Sequence, residues 1–315
     1  MKKIINILMG SILILIILTS CSTTQKVSNS GIYKNNENKE LIYRLYDDKL
    51  AKWEVPYEII EVPTKYGKTN IIASGEVNNP PVFLLHPMGL TATVWQPNVA
   101  ELSRKYRVYA INTIGDIGKS ELHDFNYYPK KGKDWSDWLN EVMNGLQIDK
   151  CNVVAASMGG WIAMNFAIHS PDRVNRLVLL GPAGIKSSVF KLMRKFSKVM
   201  FYPSQKNKEA LTKWVLGDSK EVNKELAVYM NTALNCEGRI PYPNRIKTKQ
   251  LETIEAKTML ILGEFDNVIG NPNKNEKYAK KHFKDLEIEF VRTGHIIGME
   301  SPAQINPTII NFLGN

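Results

Sequence analysis

Val153-Val154-Ala155-Ala156-Ser157-Met158-Gly159-Gly160-Trp161 is the stretch on which the fold turns. The apolar run Asn152–Ala156 reads as a buried strand, and a helical pattern over residues 159–169 follows almost at once. Ser157 sits at the junction, with the small residues Ala155 and Gly159 two positions to either side. A serine on so sharp a strand-to-helix turn is strained, and the turn leaves no room for side chains two residues away. It lifts the hydroxyl above the sheet, over a helix N-terminus that favours developing negative charge.

Outward from this junction the alternation repeats. Val82–His86, Tyr106–Asn112, Arg176–Leu180 and Thr258–Leu262 are continuous apolar runs, which suit strands buried on both faces of a parallel sheet. Tyr57–Val62 and Asn70–Ala73 read as two strands joined by a turn around Gly67. Leu286–Val291 sets Glu287 and Glu289 between apolar residues, as a half-exposed edge strand does. Helical patterns fall at about 93–104, 134–147, 159–169, 273–283 and 302–313. The expected fold class is α/β, a mostly parallel sheet with helices on both faces.

The stretch from about Pro182 to Glu255 breaks this rhythm. Val189, Phe190, Met193, Phe196, Met200 and Phe201 fall on one helical face, with Lys191, Arg194, Lys195 and Lys198 elsewhere. Inserted between two sheet strands, it reads as a helical cap at about 183–255, over the sheet's C-terminal edge where open α/β folds bind ligands. The apolar face suits core packing, a pocket lining or contact with a membrane.

Hydrophobic content of 43% and charged content of 23% are those of a globular chain and exclude wholesale disorder. The formal charge is +10, and +9 of it lies between Lys186 and Lys249, where 14 Lys/Arg face 5 Asp/Glu. Charge confined to one segment argues for a local surface patch, and no zinc-finger spacing or RNP-like strand points to nucleic acid. The three cysteines make no disulfide framework and fit no zinc site. Cys151 reads as a buried free thiol; Cys236 has no evident role.

Cys21 is different. Lys2 and Lys3 precede an apolar run, Ile4 to Leu18, that is short for a membrane-spanning helix of about 20 apolar residues. It ends in Leu18-Thr19-Ser20-Cys21, which resembles a bacterial lipobox. The expectation is a lipoprotein signal peptide at 1–20 and lipidation of Cys21. The mature chain would be extracytoplasmic, held to a bacterial membrane by fatty acyl chains worth about 0.8 kcal/mol per buried methylene. An ordinary signal peptide, or an uncleaved anchor, is the alternative. Residues 21–40 carry almost nothing apolar and read as a flexible tether, with the folded domain spanning 41–315.

The Ser157 junction resembles the nucleophile elbow of α/β hydrolases, Ala155 replacing the usual first glycine. Leu84-Leu85-His86-Pro87-Met88-Gly89 resembles the His-Gly-x-Gly turn after the third strand of these proteins, with Pro87 in place of glycine. With Ala110–Ser120 and the tail ending Glu300-Ser301-Pro302, the resemblance spans about Ile42 to Leu313. It points to the esterase and cofactor-free haloperoxidase-like branch, and implies an eight-stranded sheet and no metal or organic cofactor.

Serine needs a base, and the base an orienting acid. In this family the chain order is serine, acid, histidine. Of five histidines, His295 alone lies after a final strand and before a terminal helix. Asp266 follows the penultimate strand in Leu262-Gly263-Glu264-Phe265-Asp266, with Glu264 the neighbouring competitor; the preceding strand's loop, Gly181–Gly184, has no carboxylate. The resemblance further implies that the backbone N–H groups of Met88 and Met158 receive an oxyanion; Pro87, lacking an N–H, is not the donor position.

The implied activity is cleavage of a small ester or related acyl compound through an acyl-enzyme. Thioester, lactone, amide or C–C bond hydrolysis and perhydrolysis remain open on the same side chains. Halide displacement and epoxide opening need a carboxylate where Ser157 stands. A membrane-tethered binding protein without turnover is the reading from another class, and the full serine, acid and histidine set argues against it.

Overall fold

The computed structural model describes residues 32–124, 127–186, 189–216, 220–233 and 243–314. The chain opens with helix α1 (Asn36–Leu50), then the hairpin β1 (Tyr57–Thr64) and β2 (Gly67–Ser74). Strand β3 (Pro81–Leu85) leads through a 3-10 turn into α2 (Gln96–Leu102), and β4 (Arg107–Ile111) into the two-residue β5 (Glu121–Leu122) and α3 (Gly132–Gly145). Then come β6 (Cys151–Ala156), α4 (Met158–His169) and β7 (Val174–Leu180). Among the described residues four helices are inserted before β8 (Lys257–Gly263): α5 (Val189–Phe201), α6 (Gln205–Leu216), α7 (Lys220–Ala233) and α8 (Thr248–Leu251). The chain closes with α9 (Pro272–His282), β9 (Leu286–Val291), α10 (Ile297–Glu300) and α11 (Pro302–Gly314).

Eight strands lie in the order β1-β2-β4-β3-β6-β7-β8-β9, and β5 pairs beside β2 as a short ninth. β2 runs antiparallel to β1 and β4, while every pair from β4 to β9 is parallel. The parallel strands are buried on both faces because helices cover each; all six residues of β6 are buried. β9 alternates between half-buried and exposed residues, as its edge position requires. Strand order reverses between β3 and β6, and at such a switch point the loops beyond the strand C-termini diverge and leave a crevice. The turn after β3 and the Ser157 turn after β6 both open into it.

The folded domain, expected from residue 41, begins earlier. Ile32 and Tyr33 are buried, and α1 begins at Asn36, with the Asn35 side chain accepting the Asn38 N–H at 2.9 Å. Ile42, Tyr46 and Leu50 recur every four residues and bury one face of α1 in the core. Tyr33 adds a fixed point, its hydroxyl donating to Gly118 C=O at 3.0 Å and accepting the Gly118 N–H at 2.9 Å. The first turn of α1 carries no apolar residue, so composition places the folded boundary too late. Residues 1–31, Cys21 included, lie outside the described residues, as does Cys236.

Candidate active site

Ser157 occupies the turn between β6 and α4 with φ +50° and ψ −114°, a backbone conformation that non-glycine residues rarely adopt. The turn is held from both sides: Ser157 N–H donates to Leu180 C=O at 3.0 Å, and Ser157 C=O accepts from Ala183 N–H at 2.9 Å. Gly159 shows why the motif demands a small residue. A Cβ there would stand 2.4 Å from the Leu85 carbonyl oxygen, backbone that cannot give way.

The chain brings two distant loops to this hydroxyl. His295 Nε2 lies 2.8 Å from Ser157 Oγ, and His295 Nδ1 lies 2.7 Å from Asp266 Oδ2. With Nδ1–H donating to the carboxylate, Nε2 keeps its lone pair toward the serine hydroxyl, the tautomer a base requires. Asp266 is buried, and its other oxygen accepts the N–H groups of Val268 at 2.7 Å and Ile269 at 3.1 Å. Glu264, the competitor, is exposed. The His295 loop has its own support: Glu300 accepts the N–H groups of Gly294 at 2.7 Å and Ile296 at 3.0 Å, one on each side of the histidine.

The other histidines stand apart. His123 and His169 are exposed, and His282 pairs with Glu252 on the surface. His86 is buried: Nδ1–H donates to Pro87 C=O at 2.8 Å, and Nε2 accepts the Thr113 N–H at 3.0 Å. Burial lowers its pKa to about 4, so it stays neutral and can hold both bonds. It ties the turn after β3 to the loop after β4.

Met88 and Met158 flank the space in front of Ser157 Oγ. Neither backbone N–H donates to another protein group among the described residues. The Met158 N–H also belongs to the first turn of α4, where the helix dipole adds positive potential. The arrangement offers a hydroxyl hydrogen-bonded to an imidazole, a carboxylate on the far side of that ring, and two backbone N–H groups without a protein acceptor among the described residues.

A cavity of about 60 Å³ opens onto Ser157 and His295. Met88, Leu90, Val268, Ile269 and Ile296 line it. Phe196, Val215, Met230 and Pro243 from the inserted segment also line it. No charged side chain lines it among the described residues. Phe196 thus faces the cavity whereas Phe201 is exposed; the side chains of Val189, Phe190, Met193 and Met200 lie outside the described ones. Trp95 and Trp161 belong to the packed core, and the Trp161 indole donates to Asn244 C=O at 2.8 Å, fastening the segment that returns from the cap.

Neither His86 nor Asp116 has a role that the sequence pattern assigns. Asp116 is a buried carboxylate in Gly115-Asp116-Ile117-Gly118 that accepts the Gly89 N–H. A carboxylate bracketed by glycines directly after a buried strand was the available signal.

Residues 80–225 match the family model described as the alpha/beta hydrolase fold. The chain is 32% identical over 265 residues to a 2-hydroxy-6-oxo-2,4-heptadienoate hydrolase of Pseudomonas putida, covering 78% of this chain and 92% of that one. The crystal structure of carboxylesterase CesB (YbfK) from Bacillus subtilis superposes with TM-score 0.81 at 26% identity, covering 88% of this chain and 98% of that one. That of naproxen esterase, also from B. subtilis, gives 0.79 at 27% identity, covering 92% and 100%. The chain belongs to the alpha/beta hydrolase fold family. It is a hydrolase.

Proposed function

We propose that the protein hydrolyses small, uncharged esters through a Ser157 acyl-enzyme. The observation that carries this reading is the 2.8 Å contact between Ser157 Oγ and His295 Nε2, continued at 2.7 Å from His295 Nδ1 to Asp266. Ser157 attacks the ester carbonyl while His295 takes its proton, and Asp266 steadies the imidazolium. The N–H groups of Met88 and Met158 receive the tetrahedral oxyanion. His295 then protonates the leaving alcohol, and water repeats the sequence to release the acid.

The likeness to the heptadienoate hydrolase supports a second reading, C–C bond cleavage on the same side chains. A dienoate carries a carboxylate, and an unpaired carboxylate in an apolar site costs several kcal/mol. The uncharged lining among the described residues therefore favours the ester. For its membrane relation we keep the reading drawn from Cys21: a lipid-anchored extracytoplasmic protein, supported by Leu18-Thr19-Ser20-Cys21 behind a short apolar run.

A panel of p-nitrophenyl esters tests the substrate class. From acetyl to butyryl, kcat/KM should rise by about fourfold per methylene, since each buried methylene contributes about 0.8 kcal/mol. It should fall once the acyl chain outgrows the cavity, and the hemisuccinate ester should react at least about tenfold more slowly than the butyrate. Preference for the anionic ester, or no hydrolysis of any ester, contradicts the reading.

A further inference from the structure

Asp116 lies in the loop after β4, beneath the turn that carries Met88. Its two carboxylate oxygens accept the Gly89 N–H at 3.0 and 3.2 Å, and Oδ1 also takes the Ile117 N–H at 2.8 Å. Gly89 follows Met88 directly and stands at φ +74°, where glycine is favoured; a Cβ there would meet Ala233 of α7 at 3.4 Å. The β4 loop thus holds the turn through Asp116, with Ala233 of α7 close by. His86, bridging Pro87 C=O and Thr113 N–H, fastens the same two loops a second time.

We propose that Asp116 is a positioning residue for hydrolysis: its ionised carboxylate, by holding the Gly89 N–H, aims the adjoining Met88 N–H at the developing oxyanion. The proposal rests on the oxyanion hole of the reading above. A protonated carboxyl turns one oxygen into a donor, so the Gly89 N–H keeps one acceptor where it had two, the turn loosens and the Met88 N–H loses its aim. Turnover then requires Asp116 deprotonated as well as His295 neutral.

Among the described residues no Lys, Arg or His pairs with Asp116, and nearby Lys119 is engaged with Asp47. Its titratable neighbour is the Tyr128 phenol, pushed well above its usual range by burial and then by the Asp116 charge, and so neutral. Burial raises the Asp116 pKa to about 7, against the opposing pull of the Gly89 and Ile117 N–H groups.

The sign of the stability effect follows. A carboxyl whose folded pKa lies above its unfolded value of 3.8 contributes stability below that value, and loses it as pH rises through about 7. Above neutrality the ion destabilises the fold. A neutral amide of the same shape should stabilise the protein there while impairing catalysis, the pairing expected of a functional group held at a cost to stability.

The test is steady-state kinetics of the wild-type protein and Asp116→Asn on p-nitrophenyl butyrate across pH, with melting temperatures. At pH 8 the variant should lose at least about tenfold in kcat with KM within about twofold, and should melt a few degrees higher. On the acid limb, log(kcat/KM) should climb with a limiting slope of about two in the wild type and about one in the variant. Wild-type kcat at pH 8 in Asp116→Asn overturns the proposal, as does an equal loss at every pH with a lowered melting temperature. If the variant does not fold, the wild-type limb decides alone, and a slope of one sinks the idea. Failure of the underlying reading looks different: Ser157→Ala would then keep its turnover.

Discussion

Ser157→Ala should lose roughly 10⁵–10⁶-fold in kcat and keep its fold. The magnitude is that of removing a nucleophile whose partners act only through it. The fold should survive because the Ser157 hydroxyl's hydrogen-bond partner in the described structure is His295, the very group it serves. The turn is held by backbone bonds to Leu180 and Ala183, which alanine retains, and alanine at φ +50° bears the same Cβ strain as serine. Matching melting curves alongside absent turnover would support this account. Hydrolysis within tenfold of wild type would remove Ser157 from the mechanism.

Asp266→Asn should cost about 10⁴-fold in kcat with little change in stability. The geometry dictates which way the amide turns. Asp266 Oδ1 accepts two backbone N–H groups, from Val268 and Ile269, so the asparagine must place its carbonyl oxygen there. The amide nitrogen then takes the Oδ2 position, 2.7 Å from His295 Nδ1, and donates to it. Nδ1 becomes an acceptor, the proton moves to Nε2, and the ring can no longer accept from Ser157. Loss of less than about tenfold, measured on the ester that the wild type prefers, would show that Asp266 does not set the tautomer.

Much of this site was legible in the sequence because its logic is local. The apolar run of β6, the small residues around Ser157 and the helical pattern behind it mark the turn together, and Asp266 and His295 each follow a recognisable strand in the order that the family resemblance implies. Edge strand β9 declared its position through Glu287 and Glu289. What remained hidden depends on long-range contacts. Asp116 and Gly89 are 27 residues apart, and nothing in either stretch says that one accepts from the other. His86 reads as any histidine until the Thr113 N–H is seen opposite it. The start of α1 was missed for a related reason: its polar first turn has no hydrophobic signature, and Tyr33 is fixed by a bond to Gly118, 85 residues on. Glu300 belongs to the tail motif, but its grip on both flanks of His295 follows only from the loop's closed shape.

The most direct measurement is intact-mass and peptide mapping of the protein after treatment with a fluorophosphonate, which reacts with serine hydroxyls that a neighbouring base has made nucleophilic. The account predicts a single phosphonyl adduct on Ser157, formed by the wild-type protein and not when His295 is replaced by alanine. An unlabelled Ser157 in protein that hydrolyses esters, or an adduct on another residue that abolishes the activity, would contradict it.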